Sequence, residues 1–328
     1  MSEAVEALVA RRGVPGAAFG ADDKELTPIE GYRSDFESQL ASSRNEPEWL
    51  RDVRRSAMGR FEQDGFPTMK NEDWHFTSIA PIAERSFAPA KPGASISPDV
   101  VSRFTYGQNW HTFVFVNGRL INGEREVPAG VSVRSLRNSI EADDETLRQS
   151  FAKLATPESG AFTALNTAFA RDGAVMRIAA DTVVEKPVHL LFITDASSEN
   201  AVVHLHNLVS AGRHSQCTII ESHVALGSDI YFSNSVSEVH VSEGARLGHY
   251  KLQSESRNAF HVGTVQVSQA RDSRYESFSF ATGARLSRTN IYTALAGEAA
   301  EAVLNGLYMV DGSQQVDHQT RIEHVAPH

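Results

Sequence analysis

The chain has little cysteine, and the one it has, Cys217, stands alone. No intrachain disulfide can form, which fits a reducing compartment. Long apolar runs are also missing: no stretch approaches the roughly 18 residues needed to cross a bilayer as a helix. The N-terminus, MSEAVEALVARRG, places Arg11 and Arg12 after its apolar residues and lacks a signal-peptide core. Basic charge is in deficit. The net charge is −10 over 328 residues, which argues against non-specific nucleic-acid binding. These absences together read as a cytoplasmic protein without membrane or nucleic-acid partners. Catalytic signatures are absent too: there is no phosphate loop, G-x-G-x-x-G, G-x-S-x-G elbow or H-E-x-x-H.

What is present is a repeat. Five units in the last 120 or so residues each set a small-residue turn before an apolar run. They begin at Ser210, Ser242, Ser268, Ala281 and Leu295, and their third residues are Gly212, Gly244, Ala270, Gly283 and Gly297. The separations are 32 (244−212), 26 (270−244), 13 (283−270) and 14 (297−283), so the short steps are about half the long ones. Such units must stack to bury their apolar faces. The fold class expected is mainly β, a parallel β-helix (β-solenoid) core behind an N-terminal helical region.

The organisation follows from local signals. Residues 1–85 read as the helical region. Within it, Thr27 and Glu30 suit a capping box around Pro28, and a helix runs to about Ser42. Pro47 opens a second helix, carrying Trp49, Leu50, Val53, Ala57 and Phe61, which Gly65 ends. Residues 86–171 read as a linker, a hairpin turning at Asn117-Gly118, and a helical segment over 139–171 with Leu147, Phe151, Leu154, Phe162, Leu165 and Phe169 on a buried face. Residues 172–328 form the β-helix core.

Histidine is the most plentiful chemical candidate, with 13 in the chain. His204 and His206 share a strand face opposite Val203 and Leu205, and read as outward-facing polar residues; as metal ligands they would need partners. His214, His223, His240, His249 and His261 lack a fixed spacing and read as scattered surface residues. The C-terminal run is denser. Alternation puts His318, Thr320, Ile322 and His324 on one face, and Asp317, Gln319, Arg321 and Glu323 on the other. It reads as a polar final strand that contacts a partner, through Asp317, His318, His324 and His328. Asp22-Asp23 and Asp143-Asp144-Glu145 suggest no catalytic dyad, the latter resembling a helix start. Trp74, His75 and Phe76 read as packing residues. Cys217 reads as an inert core thiol, and one thiolate cannot hold an iron–sulfur cluster, which takes about four ligands.

Three segments resemble a known family. Phe66-Pro67-Thr68-Met69-Lys70-Asn71-Glu72-Asp73-Trp74-His75-Phe76-Thr77 resembles the P-T-x-x-x-E-D-W-[K/R/H]-[Y/F]-T stretch of SufD-type proteins. Leu165-Asn166-Thr167-Ala168-Phe169-Ala170-Arg171-Asp172-Gly173 is similar to the family's L-N-x-A-F-x-x-D-G. Asp317-His318-Gln319-Thr320-Arg321-Ile322-Glu323-His324 is close to D-H-x-T-x-[I/V]-x-H. The resemblance runs in order from about residue 27 to the end. It implies a right-handed parallel β-helix and a scaffold role in SUF iron–sulfur cluster assembly, alongside SufB and the ATPase SufC. It also implies that clusters form transiently where SufB and SufD join, not on this chain alone. The family's C-terminal helical part, with its C-S-H-G-A-T-like motif and SufC-docking helices, has no counterpart here, so no residue inherits the role of that Cys-His pair. Homodimerisation is expected of an open solenoid end left without its partner.

Two rival readings stand beside this one. A β-helix enzyme acting on acidic polysaccharides would use Arg246, Arg271, Arg274, Arg285 and Arg288 as basic groups. A self-contained metal protein would use the C-terminal histidines.

Overall fold

The computed structural model of the chain describes residues 28–43, 45–93, 95–127, 130–195 and 200–326. Thr27, the Asp22-Asp23 pair and His328 lie outside the described residues.

Helices α1 (Pro28–Ser42) and α2 (Glu48–Asp64) lie where proline and glycine placed them. α2 buries Leu50, Arg54, Ala57, Met58 and Phe61, the stripe expected at a 3.6 period. Gly65 ends it at φ 64°, donating its N–H to Phe61 O at 2.8 Å. A single 3₁₀ turn (Glu72–Trp74), α3 (Ala80–Ala83), β1 (Ala88–Pro89) and α4 (Pro98–Arg103) follow. The hairpin of β2 (His111–Val116) and β3 (Arg119–Leu120) turns at Asn117 and Gly118, whose φ values of 47° and 82° are those of a tight primed turn.

After β4 (Arg125–Val127) and β5 (Val131–Ser135), the expected helical segment is broken rather than continuous. It forms α5 (Leu136–Glu141), α6 (Glu145–Ser150), a 3₁₀ turn (Pro157–Ser159) and α7 (Ala161–Phe169). Asp144 caps α6 through Thr146 N at 2.9 Å, and Pro157 and Gly160 interrupt the run beyond it. Leu147, Phe151, Phe162, Leu165 and Phe169 are nevertheless buried.

The remaining strands are β6 (Ala174–Ile178), β7 (Val188–Thr194), β8 (Ala201–Ala211), β9 (Gln216–Ala225), β10 (Tyr231–Val241), β11 (Arg246–Ser254), β12 (Phe260–Gln269), β13 (Arg274–Ala281), β14 (Leu286–Leu295), β15 (Glu301–Tyr308) and β16 (Gln315–His324). They alternate between two sheets. One runs β16-β14-β12-β10-β8-β6-β5-β4, with β1 also on β8; the other runs β15-β13-β11-β9-β7-β2-β3. Every neighbour pair from β6 and β7 onward is parallel, so the chain winds as the expected parallel β-solenoid.

Val202 pairs with Phe232, Phe232 with Phe260, Phe260 with Leu286 and Leu286 with Gln315. The coils therefore take 30 (232−202), 28 (260−232), 26 (286−260) and 29 (315−286) residues. Gly212, Gly244, Ala270 and Gly297 all fall at the corner between an even and an odd strand, whereas Gly283 lies at the opposite corner. This explains the half-length step. At Gly283 and Gly297 an added Cβ would lie 2.2 Å from Glu255 N and 2.1 Å from Arg271 N, so stacked corners touch backbone to backbone.

Apolar packing falls into two main parts. The lumen holds residues such as Phe115, Phe192, Leu205, Val239, Leu247 and Tyr275. A second cluster joins α1, α2 and α7 to the outer face of the even sheet through Phe232, Phe260 and Leu286. Each large side chain fully buried there contributes about 1.5–3 kcal/mol. The helices therefore cover one outer face of the solenoid and fix what touches it.

Candidate functional site: the last coil and the charged lumen

β16 alternates as expected. On its outward face, Asp317 and Gln319 meet a hub made by Arg288, whose side chain is buried. Arg288 donates from Nε to Asn290 Oδ1 at 2.9 Å and from Nη2 to Asp73 O at 2.6 Å, and it pairs with Asp317 and Gln319. Its guanidinium lies 3.9 Å over the Trp74 ring. Thr77 Oγ1 donates to Asp317 Oδ2 at 2.5 Å, Gln319 Nε2 to Asp73 Oδ1 at 2.9 Å, and Gln315 Nε2 to Phe76 O at 2.9 Å. The E-D-W segment is thus tied to the last coil. Trp74 packs as expected, against Phe162 and Arg288. Phe76 does not: it is 86% exposed, on a backbone held in place by Gln315.

On the inward face, His318 sits opposite Gly306, where a Cβ would come within 2.7 Å of its Nδ1. Burial, and then the charge of Lys251, hold its pKa below the ordinary value. His324 lies at the end of the strand and is exposed. The structure therefore separates the predicted residues. Asp317 faces the helical region, His318 faces the lumen, and His324 stands six positions along from His318. Among the described residues, no group of three or more His, Cys, Asp or Glu is arranged to hold a metal ion.

Of the five arginines of the enzyme reading, only Arg246 and Arg274 come together, as register neighbours on β11 and β13 that line one groove. Arg288 is buried in the hub, Arg274 pairs with Glu301 on the other sheet, and Arg271 and Arg285 lie at turns on opposite corners.

The lumen overturns the expectation of surface histidines at three of the five positions, whereas His214 is exposed as expected and His240 is half-buried. His223, His249 and His261 are buried, and they surround a set of charges that the sequence reading missed. Glu221 accepts from His223 Nε2 at 2.7 Å and His249 Nε2 at 2.9 Å, with Lys251 Nζ 3.7 Å away. His249 Nδ1 meets Tyr275 OH at 3.0 Å. Glu255 lies 2.7 Å from His261 Nδ1 and accepts from Gln253 Nε2 at 3.0 Å. Lys251 reaches Ser235 Oγ at 3.4 Å through the space left by Gly263, where a Cβ would come within 2.3 Å of Nζ.

Burial alone would raise the pKa of Glu221, but the Lys251 charge and the two histidine N–H groups hold it well below the ordinary range. Glu255 is likewise lowered to about 2, against burial, by His261, His223 and Gln253. Burial lowers His261 to about 4 against the pull of Glu255, so near neutral pH an uncharged ring lies beside an ionised carboxylate. Burial also lowers Lys251, opposed by Glu221 and Glu255. The arrangement is an ion cluster sealed inside a solenoid.

A second network lies outside the lumen yet is equally buried. His204 and His206 do share the face opposite Val203 and Leu205, but α7 and residues 151–155 cover it. Glu238 accepts the backbone N–H groups of Ala152, Lys153, Leu154 and Ala155 at 2.6–3.0 Å and meets His206 Nε2 at 2.8 Å. Asn166 donates from Nδ2 to Leu205 O and Asn234 O, both at 2.8 Å, and so turns Oδ1 toward His206 Nδ1 at 2.9 Å. The two ring nitrogens of His206 are thus held between Asn166 and Glu238. The Asn of the L-N-x-A-F stretch is therefore a clamp between helix and solenoid. Cys217 is buried as expected, and burial pushes its thiol up to about 12.

A parity signal for the lumen was present in the sequence. Ile219, Glu221 and His223 share one parity with each other, as do Leu247, His249, Lys251 and Gln253, and register stacks Glu221 on Lys251.

With this geometry in view, comparison with known proteins is specific. Residues 30–190 match the domain described as SufBD protein N-terminal region, and residues 192–328 match the SUF system FeS cluster assembly, SufBD core domain. The chain is 28% identical over 320 residues to the iron-sulfur cluster assembly SufBD family protein slr0076 of Synechocystis, covering 93% of this chain and 68% of that one. It is 25% identical over 262 residues to the iron-sulfur cluster assembly protein SufD of Escherichia coli, covering 79% and 59%. It is 19% identical over 329 residues to SufB of Bacillus subtilis, covering 94% and 70%. The chain thus spans about three fifths to seven tenths of the length of these relatives.

Proposed function

Since the chain belongs to the SufB/SufD family of iron–sulfur cluster assembly proteins, we propose that it is a non-catalytic scaffold subunit that pairs with SufB and SufC in the SUF complex. One observation carries the pairing. Among the described residues, β15 and β16 are the outermost strands of the two sheets, with neighbours on one side only, and Leu307, Tyr308, Met309, Ile322 and Val325 are exposed around them. Parallel strands with a free edge are a template for further strands, and exposed apolar residues beside the edge favour cover. His318 and His324 project from this coil, and Asp317 fixes its outer side against Thr77 and Arg288. These residues, with His328, are the partner-contact candidates. The iron–sulfur cluster is cargo in this reading, formed transiently with SufB rather than kept by this chain. The setting is the cytoplasm; among the described residues, no helix is long and apolar enough to cross a membrane.

The test is size-exclusion chromatography with light scattering on the chain alone and mixed with SufB and SufC from the same organism. A stable mixed species that is lost when Tyr308 and Ile322 are both changed to Asp is the expected result. A chain that elutes unchanged beside both proteins would sink the scaffold reading for residues 1–328. A homodimer that dissociates when SufB is added would place self-pairing and SufB pairing on the same coil.

A further inference from the structure

The protein is acidic overall, yet three arginines gather at one place without acidic partners. Arg119 on β3, Arg137 on α5 and Arg171 just after α7 line one cavity of ≈ 70 Å³ between the hairpin, the helices and β8. At about 30 Å³ per water, that is room for roughly two waters or one small oxyanion. Arg137 and Arg171 also form a wall of an adjoining cavity of ≈ 270 Å³ beside Ser42, Asn45 and Glu46. Among the described residues, no ion pair involves any of the three.

Two of the three nearby carboxylates are already engaged. Glu46 accepts from Arg54 at 3.1 and 3.3 Å. Asp172, in the cavity wall, accepts from Ser135 Oγ at 2.7 Å, Gly173 N at 2.8 Å and Arg137 N at 3.2 Å through Oδ1. Glu141 lines only the larger cavity. Arg171 makes a single neutral contact, Nε to Gln39 Oε1 at 3.0 Å.

Two further donors are left over. Arg137 Nε is buried without a partner. His204 also lines the small cavity. Its Nδ1 lies 3.2 Å from Asn234 Nδ2, an amide nitrogen that donates to Phe162 O, so the imidazole proton is on Nε2, which is buried and has no acceptor. Unpartnered buried donors are rare in native proteins and point to a ligand or bound water.

We propose that the cavity between Arg119, Arg137 and Arg171 is a binding site for a tetrahedral oxyanion of the phosphate class. Arginine forks match such oxygens bidentately, and a neutral imidazole N–H supplies one more donor. Burial, then Arg137, with Arg119 adding to it and Glu46 opposing, holds the Arg171 guanidinium below its ordinary pKa, as expected of cations awaiting a counter-ion. The same chemistry serves free phosphate in the small cavity, or the phosphoryl end of a larger molecule whose remainder lies in the ≈ 270 Å³ cavity.

Titration calorimetry on the full chain, in low-salt buffer free of phosphate and sulfate, tests this with inorganic phosphate, pyrophosphate and ADP. The expected result is saturable one-to-one binding of at least one probe. Loss of one charge-assisted fork in Arg171→Gln or Arg137→Gln then weakens binding about tenfold or more. Arg274→Gln, on the far side of the solenoid, leaves it unchanged. Free phosphate as the tightest probe assigns the small cavity alone, and ADP or pyrophosphate as the tightest assigns both. Arg171 makes one side-chain hydrogen bond, to Gln39, so its substitution is expected to keep the fold, verified by circular dichroism, and decides the matter if Arg137→Gln unfolds. Binding that survives Arg171→Gln at full strength, or no saturable binding of any probe up to about 10 mM, overturns the proposal.

Discussion

The buried carboxylate of Glu238 lends itself to a quantitative test through Glu238→Gln, which changes charge but not shape. The carboxylate receives five N–H groups: Lys153, Leu154 and Ala155 on Oε2, and Ala152 and His206 on Oε1. The glutamine carbonyl can take the Oε2 place and keep three of these. Its amide NH₂ then faces the Ala152 and His206 donors, and two charge-assisted bonds are lost at about 1.5–3 kcal/mol each. The opposite orientation loses three. The expected destabilisation is therefore about 3–6 kcal/mol, a large share of the roughly 5–15 kcal/mol that keeps a typical domain folded. Urea unfolding followed by circular dichroism measures it as a lower midpoint. Adding His206→Gln should recover part of the loss, a coupling of about 0.5–3 kcal/mol, because it removes the donor left facing the amide. A loss under about 1 kcal/mol in Glu238→Gln, or additive behaviour of the pair, would refute the clamp as drawn.

Three other outcomes follow from the same coordinates. The lumen cluster makes the protein acid-sensitive. His261, lowered to about 4, and Glu255, lowered to about 2, both sit below their ordinary values of 6.5 and 4.5. The unfolded chain binds protons first in each case, so stability is full above about pH 6.5 and falls as the pH drops through 6.5 to 4 for His261 and 4.5 to 2 for Glu255; thermal melts across pH 7 to 3 that stay level would contradict this. Gly297→Ala sets a Cβ 2.1 Å from Arg271 N and should lower stability by about 1–3 kcal/mol in the same urea assay, whereas Gly59→Ala, with open space around its Cβ position, should be neutral or stabilising. Cys217, with its thiol raised to about 12, should react with a thiol reagent only on unfolding; rapid labelling of the native protein would show that the strand opens locally.

How far the fold could be read from the sequence depended on period. Turn glycines at solenoid corners and the strand alternation of β16 are local signals, and they placed the coils and the faces of Asp317 and His318 correctly. The segment 139–171 reads as one helical piece because apolar spacing survives Pro157 and Gly160 even where the backbone does not. The histidines failed for a different reason. Composition makes a histidine on a β-strand a surface residue by default, and only the stacking register puts Lys251 on Glu221 and makes burial tolerable. His206 was placed on the right face, but which layer covers that face depends on α7 and Glu238, 40 and 32 residues away in the chain.

The hub at Arg288 ties together distant parts of the chain. Asp73 and Thr77 reach Gln319 and Asp317 across 246 and 240 residues, the longest separations among the side-chain hydrogen bonds described. A ribosome delivers the E-D-W segment long before β16, so its hydrogen bonds to Asp317 and Gln319 form only once that strand has wound, although Trp74 can already pack on Phe162 and Arg288. Contacts of such separation form late and slowly. A solenoid without β16 would keep its other stacked strands and hold this early segment through Trp74 and Arg288 alone. Limited proteolysis cutting first between Gly65 and Ser78 would then report whether β16 has taken its place on β14.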